Sequence, residues 1–498
     1  MTAETISADL KGSAAAGGGT ARRDGTTPAT GRPGRLGPGA KLAYGAGQLV
    51  DAVANTVLNT YLFFYLTNVC GLSGSLTGIA TFIALAIDAF ADPVIGSVSD
   101  NLKTRWGRRV PVMAVSVVPI ALLLGLLFSI PRIAPGWGLF AYALALMVAL
   151  RVAMSGYIIP YLGLGAEVST DYDERSSVAA FRAIVGIVGI LLAYALGFGY
   201  FLNGPQGLLN RAAYAPLGWI GGALLLVFGL ITVYASVRHP PAIESEQLEH
   251  RTLAHIVVEV RDVFRNASFR WLFGGVLLFF VGYGVFQSLA LDGNKYFWGL
   301  TVNGINSVAL STVAGLILGL PLSFLLIGRV EKRTVVLVGI ATVSLAWSVP
   351  PLLGLAGLLP GGDSVHLAVL VGASALAGTA ITPITISFQS AMADAIDEHE
   401  HLFGGRREGL YFASLSFASK AALGLGSLIA GILLDLIRFP SAAIAAGSQV
   451  TIAPDVVRGL GWVSAPAAAL ITLASVALFS RYRLDRAAHA AILRKLNR

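Results

Sequence analysis

Apolar stretches long enough to cross a bilayer alternate along this chain with short polar connections. Crossing a hydrocarbon core of about 30 Å takes roughly 20 residues of helix. Stretches of that length run at about 42–68, 75–99, 109–130, 136–164, 176–201, 215–236, 269–292, 301–328, 334–355, 365–393, 407–437 and 460–480. The pattern predicts twelve transmembrane helices, and an even number puts both termini on one side. The expected fold class is an all-α polytopic membrane protein.

The polar connections supply organisation and orientation. The longest, about 237–266, divides the spans six and six. Within it Leu253, Ile256, Val257, Val260, Val263 and Phe264 recur at helical spacing opposite Glu259, Arg261 and Asp262. That spacing predicts an amphipathic helix lying on the membrane surface. Lys and Arg concentrate in alternate loops (Lys103, Arg105, Arg108 and Arg109; Arg238, Arg251, Arg261 and Arg265; Arg329, Lys332 and Arg333; Arg406 and Arg407) and in both tails. The opposite loops hold only Arg132, Arg211, Lys295, Arg438 and Arg458. The positive-inside rule then makes both termini cytoplasmic. The expected organisation is a cytoplasmic N-terminal tail (1–40), a six-helix bundle (41–236), a linker (237–266), a second six-helix bundle (267–483) and a basic tail (484–498).

Composition agrees: the chain is 55% hydrophobic and 12% charged, with a mean hydropathy of +0.73. Soluble domains carry about 25% charged residues. Too little polar surface is left here to cover a globule in water. The net charge of +8 could suggest nucleic acid, but the basic residues form no helix face interleaved with aromatics. No nucleic-acid partner is expected. The single Cys70 rules out a disulfide framework or a thiolate metal cage. Residues 1–40 are rich in Gly, Ala, Thr, Arg and Pro and contain no apolar signal core, so a disordered extension is expected there.

Two groups of residues point to chemistry. Asp88 and Asp92 stand four apart on one helix face, inside a span. A charged Asp at mid-bilayer costs at least about 2.5–3.5 kcal/mol, so the pair must face a cavity, a cation or each other. Two close carboxylates suit a hard monovalent cation or a shared proton. Asp51 in the first span is a third buried acid, and Lys420 in the eleventh needs a carboxylate partner, for which Asp88 or Asp92 is the natural choice. The second group follows directly, where Gly96, Asp100, Arg105, Arg108 and Arg109 lie between spans two and three. Gly96 would allow close packing, and Asp100 with the arginines would form an ion-pair latch between helices; an ordinary positively charged loop would contain the same residues.

The stretches KLAYGAGQLVDAV, YLFFYLTNVCGLS and AIDAFADPVIGSVSDNLKTRWGRR resemble the opening of melibiose-type permeases of the major facilitator superfamily, the glycoside–pentoside–hexuronide symporters. RNASFRWLF resembles that family's entry to helix seven, and MADAIDEHEHLFGGRREGLYFASLSFASKAALGLG its tenth to eleventh helices. The resemblance implies the major facilitator fold, two six-helix bundles with substrate bound between them. It implies that Asp88 and Asp92 line a cation site together with Ser155, Lys420 and Ser416. It also implies that Asp51 contributes to sugar binding. The family's sugar permeases place an Asp directly before an Ile-Pro-aromatic triplet, here Ile159-Pro160-Tyr161, but the preceding residue in this chain is Ile158. The same helix carries Arg151 near its middle. Arg151 could meet an anionic substrate group or pair internally with Asp51. Arg182 matches a family arginine, and with Tyr161 it completes the expected substrate contacts. Asp394, Asp397, Arg406 and Arg407, beside Glu398, His399, Glu400 and His401, are expected to form a salt-bridge gate between the halves; a metal site is the alternative.

The expected activity is symport of a sugar, glycoside or hexuronide with Na+ or H+ by alternating access. No other cofactor and no metal beyond that cation are expected. The expected partners are a small-molecule substrate, a saccharide, and the lipid bilayer, with the chain acting as a monomer in a bacterial-type inner membrane. Two other roles fit the same residues: transport of a lysophospholipid, and a non-transport receptor or scaffold. An enzyme is not expected, since no nucleophile–base pair or phosphate loop occurs in or between the spans.

Overall fold

The computed structural model describes residues 37–167, 172–204, 206–238, 261–359, 362–447 and 451–496. The N-terminal extension and most of the surface helix expected between 253 and 264 lie outside them.

Among the described residues the chain is a succession of long helices. These are α1 (Pro38–Val57), α2 (Gly74–Asn101), α3 (Val110–Leu127), α4 (Trp137–Glu167), α5 (Tyr172–Tyr194) and α6 (Arg211–Arg238), then α7 (Ala267–Asp292), α8 (Val302–Leu326), α9 (Lys332–Leu355), α10 (Asp363–Phe403), α11 (Glu408–Leu436) and α12 (Pro454–Phe479, broken at Ser464–Ala465). A short α13 (Arg486–Lys495) follows. Sequence marks several starts: Ser73, Asn266, Thr301 and Asp485 each accept a bond from a backbone N–H of the first turn, and Pro38 occupies a first-turn position that needs no donor.

Among the described residues, eleven helices, α2 to α12, are long and apolar enough to cross a membrane. The first carries Lys41, Gln48, Asp51 and Asn55 and continues to Val69 through π turns at Leu58–Leu62 and Tyr65–Val69. Similar turns extend α5 over Ala195–Phe201 and α7 over Gly293–Phe297. Such turns are rare and cluster at functional sites. Helix α10 runs ten residues past the expected end at 393. Its 41 residues span roughly 60 Å, so its end projects beyond a bilayer.

The helices pack as two bundles. Tyr61, Tyr65, Phe128, Tyr157 and Tyr214 centre the core of α1–α6; Phe269, Phe279, Ile340, Phe388 and Tyr411 centre that of α7–α12. The face at which α1 begins and α12 ends is the terminal face, and the other is the distal face. A third apolar cluster, with Phe63, Leu289, Ala430, Leu434 and Phe439, joins the bundles near the distal face. There α2 and α11 meet backbone to backbone. A Cβ on Gly78 would lie 2.6 Å from the Ser427 carbonyl, and one on Gly74 would lie 3.0 Å from an Asp435 oxygen. Small residues permit this approach in membranes, where close packing replaces the hydrophobic drive.

Candidate functional site

The membrane interior brings the expected acids and base together. Lys420 of α11 places Nζ 2.9 Å from Asp88 and 2.6 Å from Asp92 of α2. Ser155 of α4 places Oγ 2.7 Å from Asp88 Oδ1 and 2.8 Å from Asp92 Oδ1. Each residue lies near the middle of its helix. Asp88 is buried, while Asp92 and Lys420 are partly so. Pro93 follows directly and has no N–H, so the Ala89 carbonyl on the same turn lacks its usual helical donor. Through Lys420 the cluster ties the two bundles together at mid-depth. A hydroxyl owns one proton and can donate to one carboxylate at a time. Ser155 therefore serves one carboxylate as donor and stands within short reach of the other.

A network in α1 adjoins it. Asp51 accepts from Gln48 Nε2 (2.9 Å) and from Asn55 Nδ2 (2.6 Å), and Arg151 Nη1 donates to Asn55 Oδ1 (3.0 Å). Arg151 therefore reaches Asp51 through Asn55 rather than by a direct ion pair. One turn further along α4 is Ser155. Arg182 donates to Gln48 Oε1 (3.1 Å), so Gln48 stands between Arg182 and Asp51.

Asp51, Asn55, Gln48 and Arg182 open onto a cavity of about 910 Å³ between the bundles, walled by α1, α5, α7, α8, α9 and α10. Polar contacts join the bundles at Lys420 and beyond it toward the distal face. There Asn68 donates to Asp292 (2.7 Å), Tyr296 donates to Asn68 (3.0 Å), and Asp435 accepts from Gly74 N and Ser75 N (2.8 Å each). The distal end is sealed.

Several expected contacts differ. Tyr161 does not line the cavity: helical phase turns it inward, where it is fully buried, stacks on Tyr44 and lies under the Arg182 guanidinium, 5.1 Å away. It packs between Tyr44 and Arg182, off the cavity lining. Arg151 is likewise off the main cavity and borders a small void with Gln287 and Ser427. Ser416 is exposed one turn before Lys420; its carbonyl accepts from Ser419, and no bond to the carboxylates occurs among the described residues.

At the terminal face, Asp100 lies 3.1 Å from Arg109 and 4.0 Å from Arg108, tying α2 to the start of α3. Arg105 stacks on Trp106 instead. Gly96 faces Ile159 with ordinary room for a Cβ (3.4 Å), so close packing does not demand a glycine there. At the expected gate, Asp394 pairs with Lys332 (2.5 Å), while Asp397 pairs with Arg406 (3.1 Å) and His489 (3.0 Å); these three pairs lie in the C-terminal half. The long α10 carries these acids beside α13 of its own bundle. Arg407 begins α11, at its N-cap.

Sequence reasoning missed Asn68, Asp292 and Asp435 in the distal seal. The signal was available, since Asp292 and Asp435 are acids at the ends of apolar runs. Gln48 and Asn55 were also missed, and one helical turn on either side of Asp51 was their only mark.

Two helical bundles around a central cavity, with an intramembrane carboxylate–lysine cluster tying them together, define a secondary transporter. The chain belongs to the MFS/sugar transport protein family, whose model matches residues 43–486. It is 25% identical to an uncharacterized symporter of Synechocystis, over 92% of this chain and 96% of that protein. It is 22% identical to the isoprimeverose transporter of Lactiplantibacillus pentosus, over 79% of each. Among solved structures, a bacterial homolog of the human lysosomal transporter Spinster, in an inward-facing and unoccupied conformation, aligns with a TM-score of 0.63 at 17% identity, covering 91% of this chain and 96% of that one. Its likeness supports the fold. The protein is a transporter and not an enzyme.

Proposed function

We propose that the chain symports a sugar, glycoside or hexuronide with Na+ or H+ by alternating access, as a monomer in a bacterial-type inner membrane. The terminal face, with its excess of Lys and Arg, is the cytoplasmic one. One observation carries this: Asp88 and Asp92 of one bundle share Lys420 of the other and Ser155 beneath them. A cation entering between the carboxylates competes with the ammonium for the same oxygens. Its arrival therefore alters the tie between the bundles, which is what coupling requires. The substrate occupies the cavity beside, where Asp51, Asn55 and Arg182 offer the hydrogen bonds a polyol needs. The contacts near the distal face support a state open toward the cytoplasm.

Uptake of labelled neutral glycosides, uronates and lysophospholipids into proteoliposomes tests this, with Na+ and pH gradients imposed separately. Uptake of a saccharide driven by one gradient and lost in Asp92→Asn is the expected result. Movement of a lysophospholipid alone would reassign the substrate to amphiphiles. Undiminished uptake by Asp92→Asn under both gradients would make the carboxylate pair structural.

A further inference from the structure

We infer that Asp292 is a second proton site, separate from Asp88 and Asp92: with its proton on, it closes the distal seal, and by yielding that proton to water at the distal face it lets the seal open. This rests on the alternating access proposed above and adds a chemical control on its distal step. The proton leaves and returns on the same side, so none is carried across.

Asp292 ends α7 and is completely buried. Its Oδ1 accepts from Asn68 Nδ2 of the other bundle (2.7 Å), while its Oδ2 is buried with no hydrogen-bond partner among the described residues. The Asn68 amide nitrogen is shared with Thr67 Oγ1 (2.9 Å), and the Asn68 carbonyl oxygen accepts from Tyr296 (3.0 Å). The tie is thus built from uncharged partners. Tyr296 and Tyr214 of α6 face Asp292, and Tyr65 and Cys70 stand behind Tyr214; phenols and a thiol carry no charge near neutrality. The nearby cations are engaged elsewhere. Lys295 Nζ stands 5.7 Å over the Tyr296 ring, and Arg211 of α6 donates to the carbonyls of Val69, Ile130 and Pro131. Arg132, Arg438, Asp455 and Arg458 are exposed, and His366 at the start of α10 packs edge-on against Trp298 (5.6 Å).

An anion at Asp292 has little to hold it. One side-chain amide donates to it, and the end of α7 turns the negative pole of the helix toward it. A buried charge without a counter-ion costs far more than a neutral acid with one unsatisfied oxygen, so the sealed form keeps the proton on Asp292. The other acid of the seal shows the contrast. Asp435 accepts from two backbone N–H groups at the start of α2, where the helix pole is positive, and is partly exposed, an arrangement that suits a carboxylate. When the bundles part at the distal face, water reaches Asp292, its O–H bond breaks and the proton passes to that water. Opening releases one proton, so mass action eases it as distal pH rises, by up to about tenfold per pH unit.

The test follows distal opening with Ser374→Cys, a position on the cavity wall, in the full chain carrying Cys70→Ala. An impermeant maleimide is applied to the distal side of proteoliposomes, with pH set on each side in turn. Each rate is divided by that of the same thiol in the detergent-denatured chain, which removes the thiol's own pH dependence. The normalised rate is expected to rise at least about fivefold from distal pH 6 to pH 8, and to change less than about twofold when only the terminal-side pH moves. Asp292→Asn keeps a neutral group of the same shape and an acceptor for Asn68, so it is expected to hold the low, acid rate at every pH. His366→Gln is expected to leave the rise intact. If Asp292→Asn does not insert, the comparison of the two sides without it still decides. A normalised rate flat over that range, a rise that follows the terminal-side pH, one that survives in Asp292→Asn, or one lost in His366→Gln would overturn the inference and leave symport untouched. Labelling absent at every pH would overturn it together with alternating access.

Discussion

Two acidic clusters in this protein have nearly the same side chains and different consequences. In one, Asp88 and Asp92 stand four residues apart in the middle of α2 and share Lys420 from the opposite bundle. In the other, Asp394 and Asp397 stand three apart near the end of α10 and pair with Lys332, Arg406 and His489 of their own bundle. The first is enclosed by helices at mid-membrane depth; the second has partly exposed cations at a projecting rim. Depth and bundle membership, rather than residue type, separate the proposed coupling site from the rim pairs. Charges withdrawn from water must be compensated, so any change in their occupancy is felt across the joint. Exposed pairs are worth about 0–1 kcal/mol and hold local geometry.

The comparison can be broken at its strongest point first. Lys420→Met leaves two buried carboxylates without their cation; removing one partner of such a set costs about 3–5 kcal/mol. Gradient-driven uptake is expected to fall at least about 100-fold, read in proteoliposomes against an equal amount of inserted protein. Next comes the seam: Gly78→Val forces a side chain against the α11 backbone, an overpacking of about 1–3 kcal/mol. Uptake should drop about tenfold, and cysteines placed in the cavity wall should become labelled from the distal side. Asp435→Asn keeps the shape but weakens two bonds to the start of α2, so a change of about two- to fivefold in the same labelling rate is expected. Smallest is Asp397→Asn, for which uptake within about twofold of wild type and a thermal midpoint shifted by only a few degrees are expected. A large loss of transport there would show that the rim cluster works across the bundles after all.

The same contrast explains what could be read from the sequence. An acid or a lysine inside a 20-residue apolar run declares itself, because insertion is costly unless the residue has work to do. Asp88, Asp92, Asp51 and Lys420 announced themselves that way, and so did the spans. Which face of its helix a residue occupies was less legible. Tyr161 sits beside a proline in a helix apolar on every side, and nothing in its spacing distinguishes the cavity wall from the core behind it. The pairings of the rim acids were hard to read for a related reason. Their partners depend on α10 running past the membrane, a length that the hydropathy pattern does not encode once the residues turn polar. The π turns of α1, α5 and α7 left no local mark either, since a single extra residue per turn looks the same as regular helix in composition.

The seam between α2 and α11 has one more consequence. The helices touch by backbone at Gly74 and Gly78 near one end, and Lys420 bridges them at mid-length. Rocking one bundle against the other makes that bridge a fulcrum, with the glycine contact on one lever arm and the open cavity mouth on the other. Points at a fulcrum move least. The carboxylates and Ser155 would thus keep their spacing throughout the stroke, and the ion would be let go by the arrival of water from one side rather than by the dismantling of its ligands.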